Sequence, residues 1–397
     1  MQANPHARYL YWMFAVLFGT VALCGAINVF VDPLGIFGSP RFAGINATKP
    51  YLDHHRILAR WQAARRLCAD VGIFGNSRAE IGLDPDHPVF GQLGLKAFNH
   101  AIPGSPIATS VQQLGWLNQA GCAPTEIVLG VEFFDFLGGS PAKAHVFESA
   151  PPKIDLGVLS ETVFSITGLY DSMTTLAVQR RRYPATLTER GFNPLFNYVP
   201  EVEHSGHYVL FRQRAEESLR RWMQKVPRIH PASGGLSEDF AGLDAFLKQA
   251  ASAGSTVRLV IYPYHAEILL MMARADLLGA FEQWKAEIID RAEQYAEAGM
   301  KVEVIDFSGW SAETTEPIPP RGDKHHLAYY WEAGHFKKEL GDRMLDRIFG
   351  GATGFGIRLD SQTLEQQNRS DRQKIRQERE ASSSLAREVD SLFQASR

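Results

Sequence analysis

The chain has 397 residues, of which 45% are hydrophobic, and this composition suffices for one large α/β domain with appendages. It excludes a fibrous or wholly disordered protein. The formal net charge is −3 and no extended block of Lys or Arg occurs, so the chain lacks the basic field that draws proteins to nucleic acid. We therefore expect no nucleic-acid partner.

An uncharged apolar segment covers residues 9–31. At about 1.5 Å per residue, it is long enough to cross the ~30 Å hydrocarbon core of a bilayer. It is longer than the apolar region of a cleaved signal peptide, and it does not end in the small residues of a cleavage site. Residues 1–31 are therefore predicted to form an uncleaved single-pass anchor, with Arg8 in the cytoplasm and the rest of the chain outside.

Strand and helix patterns alternate after the anchor. Residues 32–52 are rich in glycine and proline and predict a connector. Residues 53–350 follow as one domain, with predicted strands at residues 71–74, 97–99, 126–131, 256–262 and 302–305. Strands that alternate with helices indicate a parallel sheet covered on both faces, here of about five strands.

Two segments depart from this alternation. Residues from about 136 to 236 predict an inserted helical and loop region over one edge of the sheet, and inserts of this size often shape substrate pockets. Residues 351–397 are polar and of mixed charge, which predicts a frayed helix or a disordered tail. In that tail, only Leu385, Val389 and Leu392 have the spacing of an amphipathic docking turn.

Ser77 follows the first predicted strand, in the turn G-N-S-R. Open α/β sheets place their chemistry beyond the carboxyl ends of the strands, so this serine is a candidate nucleophile. A serine hydroxyl is a weak nucleophile at its ordinary pKa and needs a neighbouring base, which itself needs an orienting group. We expect a histidine near the end of the domain to supply that base.

Two acid-x-x-His pairs occur near the end of the domain: Asp323 with His326, and Glu332 with His335. In such a pair the carboxylate reaches one ring nitrogen while the other nitrogen faces the serine. We prefer Glu332 and His335, because His335 directly precedes an apolar-periodic helix over residues 340–348 that would hold it rigidly. The first pair lies in a loop.

On these motifs, the chain resembles the SGNH hydrolases. The likeness is strongest to the membrane-anchored envelope branch related to alginate O-acetyltransferases and teichoic-acid D-alanylation proteins. The G-N-S-R sequence ending at Arg78 looks like the family's first block, and residues 99–104 look like its second. The E-A-G-H sequence ending at His335 looks like its last block. The resemblance covers roughly residues 53–350.

The resemblance implies a three-layer, flavodoxin-like α/β sandwich with a parallel sheet behind one transmembrane helix. It implies a serine esterase or O-acyltransferase in which Ser77 becomes acylated, His335 takes its proton and Glu332 holds the imidazole. The substrate would be an acylated exopolysaccharide or other envelope glycan, with the inner membrane and a membrane acyltransferase as candidate partners. The main domain would lie in the bacterial periplasm, and no cofactor or metal is expected.

The third block of the family, G-x-N-D, supplies an Asn to the oxyanion hole, and Glu132 stands in its place here. The backbone N–H groups of Ser77 and Gly104 are then the expected donors. Further candidates for the oxyanion and substrate-binding surface are Asn99, Arg78 and His265. Since one lost donor can cost about 100- to 1,000-fold in rate, the alternative is a non-catalytic scaffold or glycan-binding component of an exopolysaccharide assembly complex.

Other polar residues have simpler interpretations. His265 follows a predicted strand and could equally be a turn histidine bonded to the backbone. His204 and His207 are too few for a metal site, and the run Arg180-Arg181-Arg182 is typical of a solvated helix face. Cys68 and Cys122 are either bridged or two buried thiols. In the family's sheet order the strands that follow them are neighbours, which permits a bridge.

Overall fold

The chain is a mixed α/β protein with one apolar helix at its N-terminus, and the computed structural model describes residues 5–51, 54–142 and 150–395. The strands are β1 Val71–Phe74, β2 Ala97–Asn99, β3 Glu126–Val131, β4 Thr256–Ile261, β5 Val302–Asp306, β6 Tyr330–Glu332, β7 His335–Phe336 and β8 Ile357–Leu359. The helices are α1 Pro5–Val31, α2 Arg56–Leu67, α3 Ser77–Gly82, α4 Pro88–Gln92, α5 Ile107–Gln119, α6 Phe133–Phe136, α7 Leu156–Thr162, α8 Ile166–Val178, α9 Val199–Ser205, α10 His207–Met223, α11 Glu238–Ser252, α12 Ala266–Arg274, α13 Leu278–Glu297, α14 Lys338–Phe349, α15 Leu364–Glu380 and α16 Ser384–Ala395.

A mostly parallel six-stranded sheet has the order β2-β1-β3-β4-β5-β8. The first five strands are parallel, and β8 runs antiparallel to β5 at one edge. All five predicted strands are present. Their apolar runs are nearly continuous because both faces of a parallel sheet are buried. The carboxyl ends of the five parallel strands therefore lie together at one edge of the sheet.

The chain divides into two compact units. The smaller unit contains Met1–Arg66, Pro151–Glu189 and Leu195–Asn197, and the larger unit contains Leu67–Ala150, Arg190–Pro194 and Tyr198–Arg397. The inserted region is helical in its described part, as predicted. It is shared between the units, however, because α7 and α8 belong with α1, whereas α9 and α10 belong with the sheet.

In the smaller unit, α1 is long and apolar enough to span a bilayer, since His6–Val31 covers 26 residues and its most apolar window has a mean hydropathy of 2.2. The buried side chain of Lys49 closes its end, with Nζ donating to Val31 O (3.1 Å) and Asp32 O. These carbonyls have no partner within the helix, and a cation suits a helix C-terminus. The connector therefore forms an ordered cap on α1, and burial lowers the pKa of Lys49 to about 8.

The segment predicted as a polar tail is folded in the larger unit, where it forms β8, α15 and α16. The docking-turn spacing is confirmed for Val389 and Leu392, which are buried on α16 where that helix packs against α12. The expectation of a frayed or disordered tail is wrong. A few apolar anchors and ion pairs such as Arg372 to Glu282 (2.7 Å) hold a strongly polar segment in place.

A disulfide joins Cys68 to Cys122, with Cα atoms 4.9 Å apart. The two cysteines lie just before β1 and β3, which are hydrogen-bonded neighbours in the sheet. The predicted bridge is confirmed, and the alternative of two buried thiols is wrong. Cys24, in α1, is free.

Helices α3 and α14 approach each other so closely that only glycine fits at their contact. A Cβ on Gly341 would lie 1.6 Å from Gly82 O, and a Cβ on Gly82 would lie 1.9 Å from the Phe336 ring. Real Cβ atoms do not reach such distances, so any side chain here would force the helices apart. This contact fixes α14, and the strand β7 just before it, against the end of α3.

Gly341→Ala should lower the free energy of unfolding by about 1 to 3 kcal/mol, because the added methyl overpacks the contact. The matched control is Gly279→Ala in α13, where a Cβ meets nothing within 4 Å. That change should be neutral or stabilise by up to about 1 kcal/mol. Denaturant titration of the detergent-solubilised chain, followed by circular dichroism, measures both. Equal effects at the two sites would contradict the close contact.

Candidate active site

Ser77 begins α3 directly after β1, at the carboxyl edge of the parallel sheet. Asn76 caps the helix, its Oδ1 accepting from the N–H of Arg78 at 3.1 Å. Gly75 has a φ of +144°, and a Cβ there would lie 2.3 Å from the hydroxyl of Tyr262. The turn is therefore sharp, and Tyr262 packs closely against it. As a result, the partly exposed side chain of Ser77 lies beyond the carboxyl end of the sheet.

His335 reaches the serine from a small hairpin formed by β6 and β7. The prediction that it directly precedes a helix needs correction, because His335 lies in β7 and α14 begins at Lys338. The rigidity comes instead from the next residue. Phe336 is fully buried, its ring lies 6.1 Å from that of Tyr262, and it occupies the space left by Gly82.

The three side chains singled out from the sequence form one hydrogen-bonded chain. Ser77 Oγ lies 2.8 Å from His335 Nε2, and His335 Nδ1 is hydrogen-bonded to Glu332 Oε1. When Nδ1–H donates to the carboxylate, Nε2 is left as an acceptor facing the serine hydroxyl. The arrangement has the hydrogen-bond geometry of a serine–histidine–acid triad.

Glu332 is 1% exposed and is held by more than the histidine. Its Oε1 lies 3.1 Å from Arg214 Nε, and its Oε2 accepts from the N–H of Gly334 at 2.6 Å. Burial alone would raise the pKa of this carboxyl. His335, Arg214 and the Gly334 N–H more than offset that effect and lower the pKa to about 2. Glu332 is therefore a carboxylate at any pH near neutrality.

Two residues that support this arrangement were not predicted from the sequence, Arg214 and His207, both on α10. His207 is fully buried; its Nδ1 bonds Trp331 O at 3.0 Å and its Nε2 accepts from Leu327 N at 3.2 Å. Burial lowers the pKa of His207 to about 4, so the ring is neutral and can play both roles. It thereby fixes the backbone leading to Glu332. In the described part of the chain, no group of three or more His, Cys, Asp or Glu could hold a metal ion.

The position expected to carry an Asn is filled by a buried ion pair. Glu132, which directly follows β3, is 3% exposed, contacts the guanidinium of Arg78, and accepts from the hydroxyl of Tyr264 at 2.9 Å. Arg78 also lies over the rings of Tyr262 and Tyr264, at 6.0 and 5.7 Å. The guanidinium of Arg78, which was predicted to bind substrate, is therefore engaged in an ion pair with Glu132.

The backbone donors predicted for an oxyanion remain available. The N–H of Ile102 donates to Gly75 O at 3.1 Å, which holds the turn containing Gly104 beside the Ser77 turn. Gly104 is exposed, with a φ of +68°. Within the described ranges, the N–H groups of Ser77 and Gly104 donate to no acceptor.

Two predicted substrate-binding residues are instead structural. Asn99 is fully buried, and its amide donates to Ala79 O at 2.7 Å and Leu83 O at 2.9 Å, which fixes the last turn of α3 and its C-cap. His265 is 1% exposed and N-caps α12, with both ring nitrogens bonded to backbone groups. Both side chains are therefore engaged with the backbone, and the turn-histidine interpretation of His265 is confirmed.

The competing acid-x-x-His pair does not face the serine. Asp323 Oδ1 accepts from the N–H of His325 at 2.8 Å, so the carboxylate closes its own loop. His326 is exposed, with its ring 6.0 Å from that of His207. The structure therefore brings Glu332 and His335, rather than Asp323 and His326, to Ser77.

No protein-family model matches the chain, and no curated protein matches it significantly. The family resemblance rests on the sequence motifs and on the geometry of the site, and it is taken up below as a proposal.

Glu332→Gln should be less stable than the wild type at neutral pH, by on the order of 3 kcal/mol. A carboxyl whose pKa falls from 4.5 when unfolded to about 2 when folded contributes its full stability above pH 4.5 and loses it as the pH falls to 2. The difference between variant and wild type should therefore shrink over that window. Denaturant titrations at several pH values measure it, with the exposed Glu297→Gln as control. A difference that does not shrink would contradict the low pKa.

Proposed function

We propose that the chain is a membrane-anchored serine esterase or O-acyltransferase that works through an acyl-serine. The observation that carries the proposal is the hydrogen-bonded chain from Ser77 through His335 to Glu332. Such a chain removes the serine proton as the hydroxyl attacks, which an isolated serine cannot achieve at neutral pH.

The reaction divides into two halves. Ser77 Oγ attacks the ester carbonyl while its proton passes to His335 Nε2, and the N–H groups of Ser77 and Gly104 stabilise the oxyanion. Collapse breaks the ester C–O bond, and His335 returns the proton to the departing hydroxyl. Water or a sugar hydroxyl then attacks the acyl-serine while its proton passes to His335 Nε2. Collapse breaks the acyl–Oγ bond, and His335 returns the proton to Ser77 Oγ.

The fold supports the SGNH family for this site. The parallel strands have the order 2-1-3-4-5, which is the flavodoxin-like order, and Ser77 follows β1, beside the point between β1 and β3 where the order reverses. The apolar α1 supports anchoring in the bacterial inner membrane with the larger unit in the periplasm. An esterase in that place meets acylated exopolysaccharides and other envelope glycans, and an acyltransferase there would receive its acyl group from a membrane partner.

A scaffold that binds glycan without catalysis is the second candidate, and Glu132 favours it. A carboxylate cannot donate the hydrogen bond that an Asn amide would give to an oxyanion. The loss of one such donor costs about 100- to 1,000-fold in rate. The two candidates differ in whether Ser77 reacts, which is directly measurable.

Alkaline phosphatase fused after Arg397 should be active, and green fluorescent protein fused at the same place should be dark. This follows if α1 stays in the membrane with Arg8 in the cytoplasm, because the reporters would then lie outside. Whole-cell phosphatase activity and fluorescence measure the outcome. The reverse pattern would contradict the periplasmic location and the envelope substrate with it.

A fluorophosphonate probe should label the purified chain, and Ser77→Ala should abolish the label. His335→Ala should slow labelling and ester cleavage by on the order of a thousandfold. For ester cleavage the Ser77→Ala/His335→Ala double variant should be hardly slower than either single variant, because both residues lie on one proton path. Glu332→Gln should cost less, since no reacting group is removed. Gel fluorescence and hydrolysis of a nitrophenyl ester measure these rates.

The controls are Ser105→Ala, a neighbouring serine, and His326→Ala from the competing pair; both should label at the wild-type rate. Loss of activity in His326→Ala with retention in His335→Ala would refute the assignment of the base. Labelling that persists in Ser77→Ala would refute the nucleophile. A folded wild type that is never labelled would favour the scaffold.

A further inference from the structure

Helix α8, in the smaller unit, carries an exposed apolar stripe. Ile166 is 88% exposed, Tyr170 67% and Met173 55%, and their spacing places all three on one face of the helix. Phe164, just before the helix, is 60% exposed. The opposite face is buried and includes Ser172. A contiguous apolar surface of this kind marks a contact with another apolar phase.

The buried face of α8 packs against the last turns of α1. Asn28, the polar residue in that part of the apolar helix, is fully buried; its Nδ2 donates to Val163 O at 2.9 Å and its Oδ1 accepts from Ser172 Oγ at 2.8 Å. A Cβ on Gly25 would lie 3.1 Å from the Phe164 ring. The inserted helix thus satisfies the amide of Asn28, which would otherwise be costly in lipid.

These contacts fix the level of α8 relative to the membrane. Gly25 lies six residues before Val31, roughly 9 Å along the helix axis from the end of α1. If α1 crosses the bilayer up to Val31, then the Phe164 ring beside Gly25 lies within the outer leaflet. The apolar residues Leu17, Phe18 and Leu23 of α1 are likewise exposed, at 53%, 67% and 63%.

A cluster of three arginines follows α8. Arg180, Arg181 and Arg182 are exposed, and they come directly after the helix ends at Val178 and its cap Gln179. Arginine side chains next to an apolar membrane segment extend to the phosphate level and bind anionic lipids. Along the chain, the apolar stripe of α8 comes first and the arginine cluster follows it. This order matches that of the acyl layer and the phosphate layer of a leaflet.

We propose that α8 is a second membrane-contacting element, with Phe164, Ile166, Tyr170 and Met173 in the acyl region of the outer leaflet and the arginine cluster at the lipid phosphates. The occupant of the exposed stripe is lipid, because α8 packs against the last turns of the apolar α1 and so lies beside the bilayer that α1 would cross. The inference does not depend on the chemistry of Ser77. It depends on the retention of α1 in the membrane.

The test places a nitroxide on single cysteines of the full chain, in a Cys24→Ala background and in nanodiscs of phosphatidylethanolamine and phosphatidylglycerol. Labels at Ile166→Cys, Tyr170→Cys and Met173→Cys report on α8. Leu17→Cys is the membrane control, and the exposed Lys153→Cys is the water control. Labelling without reductant leaves the disulfide intact, and circular dichroism checks that each variant is folded.

Power saturation by oxygen and by a water-soluble nickel chelate measures the environment of each label. At the three α8 positions, oxygen should relax the spins more than the chelate does, as at Leu17, with the reverse at Lys153. If the chelate relaxes the spins more than oxygen does at all three α8 positions, while Leu17 behaves as a lipid-exposed site, the inference about α8 is overturned. The proposal that α1 is a membrane anchor would then still stand. Spin–spin broadening at the α8 positions would overturn the inference in favour of a second copy. A water-exposed Leu17 would overturn the anchor and the inference together.

Discussion

The candidate site forms where two aromatic rings occupy spaces that glycines leave open. The hydroxyl end of Tyr262, which follows β4, fills the Cβ positions of both Gly75 and Gly130. Phe336 fills that of Gly82. These contacts join the carboxyl ends of β1, β3 and β4 to the hairpin of His335, so the position of the histidine over Ser77 follows from close packing. A larger residue at Gly75 or Gly130 would displace Tyr262, and one at Gly82 would displace Phe336. Either displacement would move His335 away from Ser77, although the new side chain contacts neither of them.

The packed site contains buried charges, and each is compensated by an arginine. Glu332 is stabilised by Arg214, and Glu132 by Arg78. Removing a carboxylate from water is costly unless a partner and further hydrogen bonds replace the hydration. Apart from their arginine partners, Glu332 and Glu132 make different hydrogen bonds. Glu332 bonds the imidazole and a backbone N–H, which orients the His335 ring, whereas Glu132 bonds the hydroxyl of Tyr264, three residues beyond the end of β4.

The sequence predicts those features whose signals are local. Continuous apolar runs identify the five parallel strands, and a serine at a strand end with an acid three residues before a histidine identifies the triad. Long-range partners leave no such signal. Arg214 stands in an arginine-rich surface helix and looks like any solvated residue until α10 is placed beside β6. The hairpin of His335 is also missed, because β7 has two residues and lies next to a strongly periodic helix. The folding of residues 351–397 is not predicted either, because their few buried apolar residues are separated by many charged ones.

The departure at Glu132 has a physical consequence for the proposed reaction. An Asn amide would offer one neutral donor to the oxyanion, whereas Glu132 alone would repel it. Arg78 removes this repulsion, because its guanidinium pairs with Glu132 and neutralises it. A Cβ on Gly334 would lie 3.5 Å from Arg78 Nη2, so the cation extends from the end of β3 to the turn before His335. In the proposed mechanism, the charge that develops beside Ser77 therefore meets a neutral Arg78–Glu132 ion pair where the family resemblance predicts an amide. This exchange leaves the N–H groups of Gly104 and Ser77 as the direct hydrogen-bond donors of that mechanism.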